Sequence, residues 1–423
     1  ISRVIVKMST SEYLKLKDLD KDFLLNESKT FCMYPWTHLN ATPLGNIFPC
    51  CSNDYTMPIA NTADVSLKEA FNGEFMKNLR MDMLNEKHHK ICDFCYSHEE
   101  AGPHSFRKYS IEHFGKYFDE SLEMTHEDGH VDEMKMRYFD IRFSNICNFK
   151  CRSCGSEFSS QWALEDKKSW KPDGPVIIHV DNEEGGVLEE ILDQVDHIDI
   201  AYFAGGEPLI TPEHYIILEE LIRKGKTDTV LRYNTNASTV SYKDKDIFAL
   251  WKHFDKVEVS CSIDHFGERA ECMRHGTDWG RVETNLQKFR ATEHISFQMN
   301  TVLSIMNYYT LYEFFEYMSG VGLLDYDKDF YNSLYLAANP KHYCAQALPK
   351  SMKETAAAKL MGMYQGERAI DGLIKSGVGF AAQNDTWEDV KKDFFHMTYR
   401  LNKLRGENFF DAFPELKPLQ DME

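Results

Sequence analysis

The chain has 423 residues, 43% apolar and 13% aromatic, enough to bury a large core and build two or three domains. Its net charge is −19, from 48 basic and 67 acidic residues, which argues against general binding to a nucleic-acid backbone. No apolar run is long enough for a membrane span, so neither nucleic acid nor a membrane is an expected partner. Ile1 to Lys7 is too short for a signal peptide, and Met8-Ser9-Thr10 reads as a start, with the seven residues before it as a remnant. Eleven cysteines, an odd number without a secretion signal, argue against a disulfide framework and for a cytoplasmic protein.

Taken in chain order, residues 1–130 read as loops with scattered aromatics and the cysteines Cys32, Cys50, Cys51, Cys92 and Cys95. Lys87-His-His-Lys90 reads as a solvated loop, and Asp119 to Glu133, acidic and polar, as a linker or exposed loop. From about 135 to 340, short apolar runs alternate with amphipathic stretches. Strands are predicted near 137–144, 197–204, 229–235, 256–263, 295–303 and 330–336. Helices are predicted over 211–223, 244–254, 280–291 and 310–320, the first opened by a capping hydroxyl on Thr211 and by Pro212. Such alternation implies a parallel sheet with right-handed crossovers. Curled, it forms an α/β fold of the partial (β/α)6 TIM-like barrel kind, with its chemistry at the C-terminal strand ends.

On the first strand, Asp140 and Arg142 alternate with Phe139, Ile141 and Phe143, so one polar face points into the barrel. Arg232, Asn234 and Asn300 are similar candidates for a substrate cavity. After Pro349 the pattern is helical to about Leu404, with breaks at Gly366 and Gly377. The expected domains are 1–130, 131–345 and a helical extension over 346–423.

The chemistry-bearing motif is Cys147-Asn-Phe-Lys-Cys151-Arg-Ser-Cys154, directly after the first strand. Three thiolates on one loop can hold three corners of a cubane iron–sulfur cluster and leave the fourth iron open to a ligand. A structural site would normally close with a fourth protein ligand. The second strand ends Ala204-Gly205-Gly206-Glu207-Pro208, where two glycines let backbone approach a ligand and Glu207 offers a carboxylate. Cys261, Cys272 and Cys344 read as small buried hydrophobes.

The cysteine loop and the Gly-Gly-Glu-Pro turn, followed by Asn234-Thr-Asn-Ala-Ser238, Val259-Ser-Cys-Ser-Ile-Asp264 and Met273-Arg-His-Gly276, resemble the motifs of the radical S-adenosylmethionine superfamily, in the same order. The resemblance spans Phe31 to Pro340. It implies a [4Fe–4S] cluster on Cys147, Cys151 and Cys154 that binds S-adenosyl-L-methionine and cleaves it reductively to a 5′-deoxyadenosyl radical, which abstracts a substrate hydrogen. It also implies that Gly205, Gly206 and Glu207 hold the methionine amino group. Asn234, Ser260, Ser262, Asp264 and Arg274 are the other cofactor-binding candidates, Arg274 for a carboxylate. Two positions depart from the pattern. Ser153 stands where an aromatic often precedes the third cysteine, and His265 follows Asp264 where glycine is usual. His265 reads as a loop residue, with substrate contact as the alternative.

Cys32, twelve residues, Gly45, four residues and Cys50, then Cys92 and Cys95, resemble the SPASM and twitch auxiliary domains, here ahead of the barrel. The resemblance implies a second 4Fe–4S cluster on Cys32, Cys50, Cys92 and Cys95, one cluster as in twitch members. Cys50 is preferred over its neighbour Cys51 because it completes the spacing. Tetrahedral zinc is the other fit for these four cysteines, and the barrel motifs favour iron. Trp36 and His38 pack over that cluster or belong to the core. The implied reaction is oxidative modification of a peptide or protein side chain, with a flavodoxin or ferredoxin as electron donor. The alternatives are a dehydrogenase or cyclase acting on a nucleotide or aminocyclitol, and a non-catalytic metal-binding module.

Overall fold

The computed structural model describes residues 20–100, 104–169, 173–180, 186–329, 332–337 and 339–423. The start read at Met8 lies outside them. The parallel core contains β4 (Tyr138–Ile141), β6 (Ile200–Phe203), β7 (Val230–Thr235), β10 (Val257–Ser262), β12 (Ile295–Leu303) and β13 (Ser333–Leu336), each inside a predicted strand. Alternation decides which way their side chains point. In β7, Leu231, Tyr233 and Thr235 are buried outward, under helices, while Arg232 and Asn234 face the barrel interior. The crossover helices Pro212–Lys224, Trp279–Ala291 and Leu311–Gly320 lie where periodicity places them, and Gly225 ends the first in a left-handed C-cap.

The N-terminal segment is not a separate lobe. β1 (His38–Ala41) pairs in parallel with β4, and β2 (Asn46–Phe48) and β3 (Ala60–Asn61) follow it as antiparallel strands. One nine-stranded open sheet results, in the order β13-β12-β10-β7-β6-β4-β1-β2-β3. It is the partial barrel extended by three strands from the head of the chain.

Several expectations need correction. Residues 119–133 are not an exposed linker: Phe118–Glu123 is helical, Leu122 and Val131 are buried, and Trp36 donates its indole N–H to Thr125 at 2.9 Å. Buried Arg80 ties this region down by donating to the carbonyls of Pro35, Phe71 and Gly129. The first 130 residues also hold helices, among them Glu74–Leu84, Asp93–Glu100 and Phe106–Phe114. Their short amphipathic repeats are interrupted by charges, which hides the period. Thr211 does not cap its helix; its hydroxyl turns back to the Glu207 carbonyl at 3.0 Å. The helix predicted over 244–254 shrinks to Ile247–Trp251, because a hairpin of β8 (Ser241–Tyr242) and β9 (Lys245–Asp246) precedes it.

The tail forms helices Lys350–Met363, Ala369–Ala382 and Trp387–Arg405. Gly366 lies in the first break, but Gly377 sits inside the second helix. A Cβ there would come within 2.9 Å of Leu334 Cδ2, so the glycine lets this helix lie close against β13. The tail also clasps the cysteine loop from behind. Arg152 pairs with Glu407, which accepts from His275 at 3.1 Å, and Arg405 pairs with Glu165 at 2.9 Å.

Candidate active site

Cys147, Cys151 and Cys154 line a cavity of about 270 Å³ at the C-terminal mouth of the sheet, together with Gly205, Gly206, Asn234, Ser262 and Arg274. The loop that carries the cysteines is set by three anchors. β5 (Lys150–Cys151) pairs antiparallel with β11 (Arg274–His275), so Cys151 stands opposite Arg274. Trp162 donates to the Cys151 carbonyl at 2.6 Å, and Cys154 N closes a turn onto the same oxygen at 3.1 Å. Asn148 bridges to the third-strand end, donating to Ser238 and accepting from Asn236 at 2.9 Å each.

The glycines fit by space. Gly206 packs so tightly on the strand leading to Cys147 that a Cβ would lie 2.1 Å from the Ile146 carbonyl oxygen, and Gly205 has a φ of +125°. Glu207 differs from its predicted role. Its carboxylate is buried and absent from the cavity lining, accepting from Thr235 Oγ1 and Asn236 N at 2.7 Å and from Leu209 N at 3.1 Å. Burial raises its pKa to about 7 against those donors. It holds the ends of the second and third strands together, and the backbone of Gly205 and Gly206, not this carboxylate, meets the cavity.

Arg274 is pinned by Asp264 (Nε to Oδ2, 2.9 Å) and reaches to 3.9 Å from Cys151 Sγ. Asp264 also accepts from Val302 N at 2.8 Å, so it positions Arg274 and is absent from the main cavity lining. Ser260 faces a second cavity, deeper in the barrel, of about 360 Å³, whose lining includes Cys51, Asp140, Arg232, Glu258 and Asn300. Asn234, Arg142 and Tyr202 line both cavities, so the two communicate. Phe149 and Phe158 line the upper cavity beside Ser153. They supply the aromatic surface that the third-cysteine position lacks, and Phe158 was hidden four residues beyond the motif.

His265 is fully buried, accepting from Phe266 N at 3.0 Å and lying 3.0 Å from the Thr310 hydroxyl, so it is a packing residue and no substrate contact. Burial, helped by Arg269, pulls its pKa down to about 3. A histidine whose folded pKa lies below its unfolded value of about 6.5 contributes stability that is complete above that value and is lost as pH falls toward the folded one. His265→Gln should therefore flatten the acid limb of the stability curve, recovering on the order of 2 kcal/mol of the loss between pH 7 and pH 5. Urea unfolding at the two pH values measures this, and an unchanged limb would contradict it.

Cys32, Cys50, Cys92 and Cys95 line one largely apolar cavity with Leu79, Met83 and Ile91, whereas Cys51 faces the barrel. Burial pushes the Cys32 thiol up to about 12 and raises Cys95. Sulfurs 2.3 Å from a tetrahedral zinc lie roughly 3.8 Å apart. No three of these cysteines, nor the three of the barrel loop, bring their sulfurs within 4.8 Å of one another. Trp36 is core, hydrogen-bonded to Thr125, and does not line this cavity.

Residues 141–316 match the profile of the radical SAM superfamily, and residues 32–96 match SPASM, an iron-sulfur cluster-binding domain. The first of these domains binds S-adenosyl-L-methionine and a 4Fe–4S cluster, and the second binds further iron–sulfur clusters. Similar solved structures include native anSMEcpe with bound AdoMet, at 15% identity and a TM-score of 0.33 over 52% of this chain and 57% of that one. SuiB of Streptococcus suis bound to S-adenosylmethionine aligns at 10% identity and a TM-score of 0.36, over 77% and 69%. The chain thus spans little more than half the length of the anSMEcpe chain. No curated protein matches it. No helix among the described residues is long and apolar enough to cross a membrane. Each profile covers one of the two cysteine groups: the chain carries a radical SAM domain over residues 141–316 and, ahead of it, a SPASM segment over residues 32–96.

Proposed function

We propose that this chain is a radical enzyme that cleaves S-adenosyl-L-methionine reductively and oxidises a peptide or protein side chain. The observation that carries the reading is the cavity shared by Cys147, Cys151, Cys154, the Gly205-Gly206 backbone and Arg274, opening onto a second polar cavity inside the barrel. When bound, the cluster and its cofactor supply one-electron cleavage to a 5′-deoxyadenosyl radical that removes a substrate hydrogen.

The chain's own residues then divide the work. Cys147, Cys151 and Cys154 would hold the cluster by three of its irons. The Gly205-Gly206 backbone receives the methionine amino group, and Arg274, fixed by Asp264, offers its planar fork to the carboxylate. Ser262 and Asn234 meet the ribose, and Phe149 and Phe158 flank the adenine. The substrate lies in the lower cavity among Asp140, Arg142, Arg232 and Glu258, whose paired charges suit polar backbone groups. Exposed Phe106 and Tyr335 at its rim suit an extended chain. Cys32, Cys50, Cys92 and Cys95 would hold an auxiliary cluster, which would supply an acceptor for one electron, and a flavodoxin or ferredoxin would be the electron donor.

The test is anaerobic incubation of the iron-loaded protein with dithionite and S-adenosyl-L-methionine. Release of 5′-deoxyadenosine, stimulated by peptide mixtures, is expected. No release from fully loaded protein would overturn the reaction, and stimulation by nucleotides or aminocyclitols alone would overturn the substrate class.

A further inference from the structure

His38, Cys51 and Asp140 come together beside the barrel cavity, which Cys51 and Asp140 line, and none of the three is among the cysteines assigned to a cluster. Their ligand atoms all lie within 4.8 Å of one another, and no other such triple of histidine, cysteine, aspartate or glutamate occurs among the described residues. The sheet assembles them. β1 runs in register with β4, His38 opposite Tyr138, so His38 and Asp140 are diagonal neighbours on one face. Cys51 lines the barrel cavity and Cys50 the auxiliary cavity, and the two thiols touch through a side-chain hydrogen bond where the cavities meet.

The hydrogen bonding leaves these groups primed as ligands. His38 Nδ1 lies 2.9 Å from the Tyr138 carbonyl, which can only accept, so Nδ1 carries the proton and Nε2 presents a lone pair. His38 is buried, and its Nε2 meets no partner other than the Cys51 thiol. Asp140 is completely buried. Its Oδ1 faces Arg142 Nε at 3.4 Å, and its Oδ2 has no partner. A buried carboxylate oxygen without a partner and an imidazole nitrogen whose sole neighbour is a thiol are costly to bury, and a cation satisfies both together. A thiolate, a carboxylate and a neutral imidazole carry two negative charges, the complement of a divalent ion.

We propose that His38, Cys51 and Asp140 bind a single divalent transition cation of the zinc class, separate from both clusters, with its remaining position open to the barrel cavity. Binding expels the Cys51 thiol proton to solvent and involves no redox change. The open position takes water or a substrate oxygen or nitrogen, placing a Lewis acid beside the group to be oxidised.

The experiment uses the iron-loaded protein equilibrated with Zn²⁺ and then desalted, with metals counted by mass spectrometry and the zinc shell read by X-ray absorption. About one zinc per chain is expected, with one sulfur near ~2.3 Å and the other ligands nitrogen or oxygen at ~2.0–2.1 Å. His38→Ala and Asp140→Asn should each bring zinc below about a tenth of the wild-type content with iron unchanged, the unchanged iron reporting an intact fold. Absence of stoichiometric zinc, an all-sulfur shell, or zinc retained by both variants would overturn the proposal. So would loss of the auxiliary iron in Cys51→Ser, which would make Cys51 a cluster ligand.

Discussion

Cys151→Ala is expected to abolish release of 5′-deoxyadenosine, a loss larger than the ~10–100-fold that removal of an outer-shell partner costs a metal site. The substitution deletes a sulfur and keeps the backbone, and the backbone holds the loop: the Cys151 carbonyl accepts from Trp162 and Cys154, and its strand pairs with Arg274. The fold should therefore persist while one corner of the open cluster is lost. Iron should fall by about half, from the content of two clusters toward that of one. Full iron together with full cleavage in this variant would remove Cys151 from the ligand set.

Gly206→Ala is expected to damage both stability and cofactor binding. The new Cβ would lie 2.1 Å from the Ile146 carbonyl oxygen and 2.7 Å from its carbon, both main-chain atoms that cannot rotate away. That same oxygen accepts from Glu207 N at 2.8 Å, so relief of the clash must separate the glycine turn from the strand feeding Cys147. The strain is worth about 1–3 kcal/mol or more. The turn that moves is the one proposed to meet the methionine amino group, so the KM for S-adenosyl-L-methionine should rise at least ~10-fold. Gly155→Ala, one residue past Cys154, meets nothing within 4 Å and serves as the neutral comparison. Equal unfolding midpoints and KM values in the two variants would refute the steric account.

The barrel was legible because its signals are local. β12 and the helix Trp279–Ala291 follow runs whose period is visible within a dozen residues. The cysteine loop and the glycine turn were legible for the same reason, each being a short contiguous motif. Relations between distant segments were hidden. His38–Ala41 is four residues long and polar in half its positions, and its pairing with β2 on one side and with β4, a hundred residues away, on the other makes it a strand. For Glu207 the motif gives a carboxylate but not its hydrogen-bond partners, which Thr235 and Asn236 supply. Gly377 suggests a helix break in sequence, because composition alone cannot distinguish a stop from a close approach to Leu334. Cys50 and Cys51 differ only by the alternation of the chain, yet they face different cavities.

The ladder between β1 and β4 makes the proposed electron-handling head and the catalytic barrel one mechanical object. A barrel excised at residue 131 would bare the main-chain donors and acceptors of Tyr138–Ile141 along an unprotected margin, inviting self-association. The geometry between the two cysteine-lined cavities is thereby fixed by main-chain hydrogen bonds instead of a tether, and grafting either unit onto another scaffold would have to carry this seam with it.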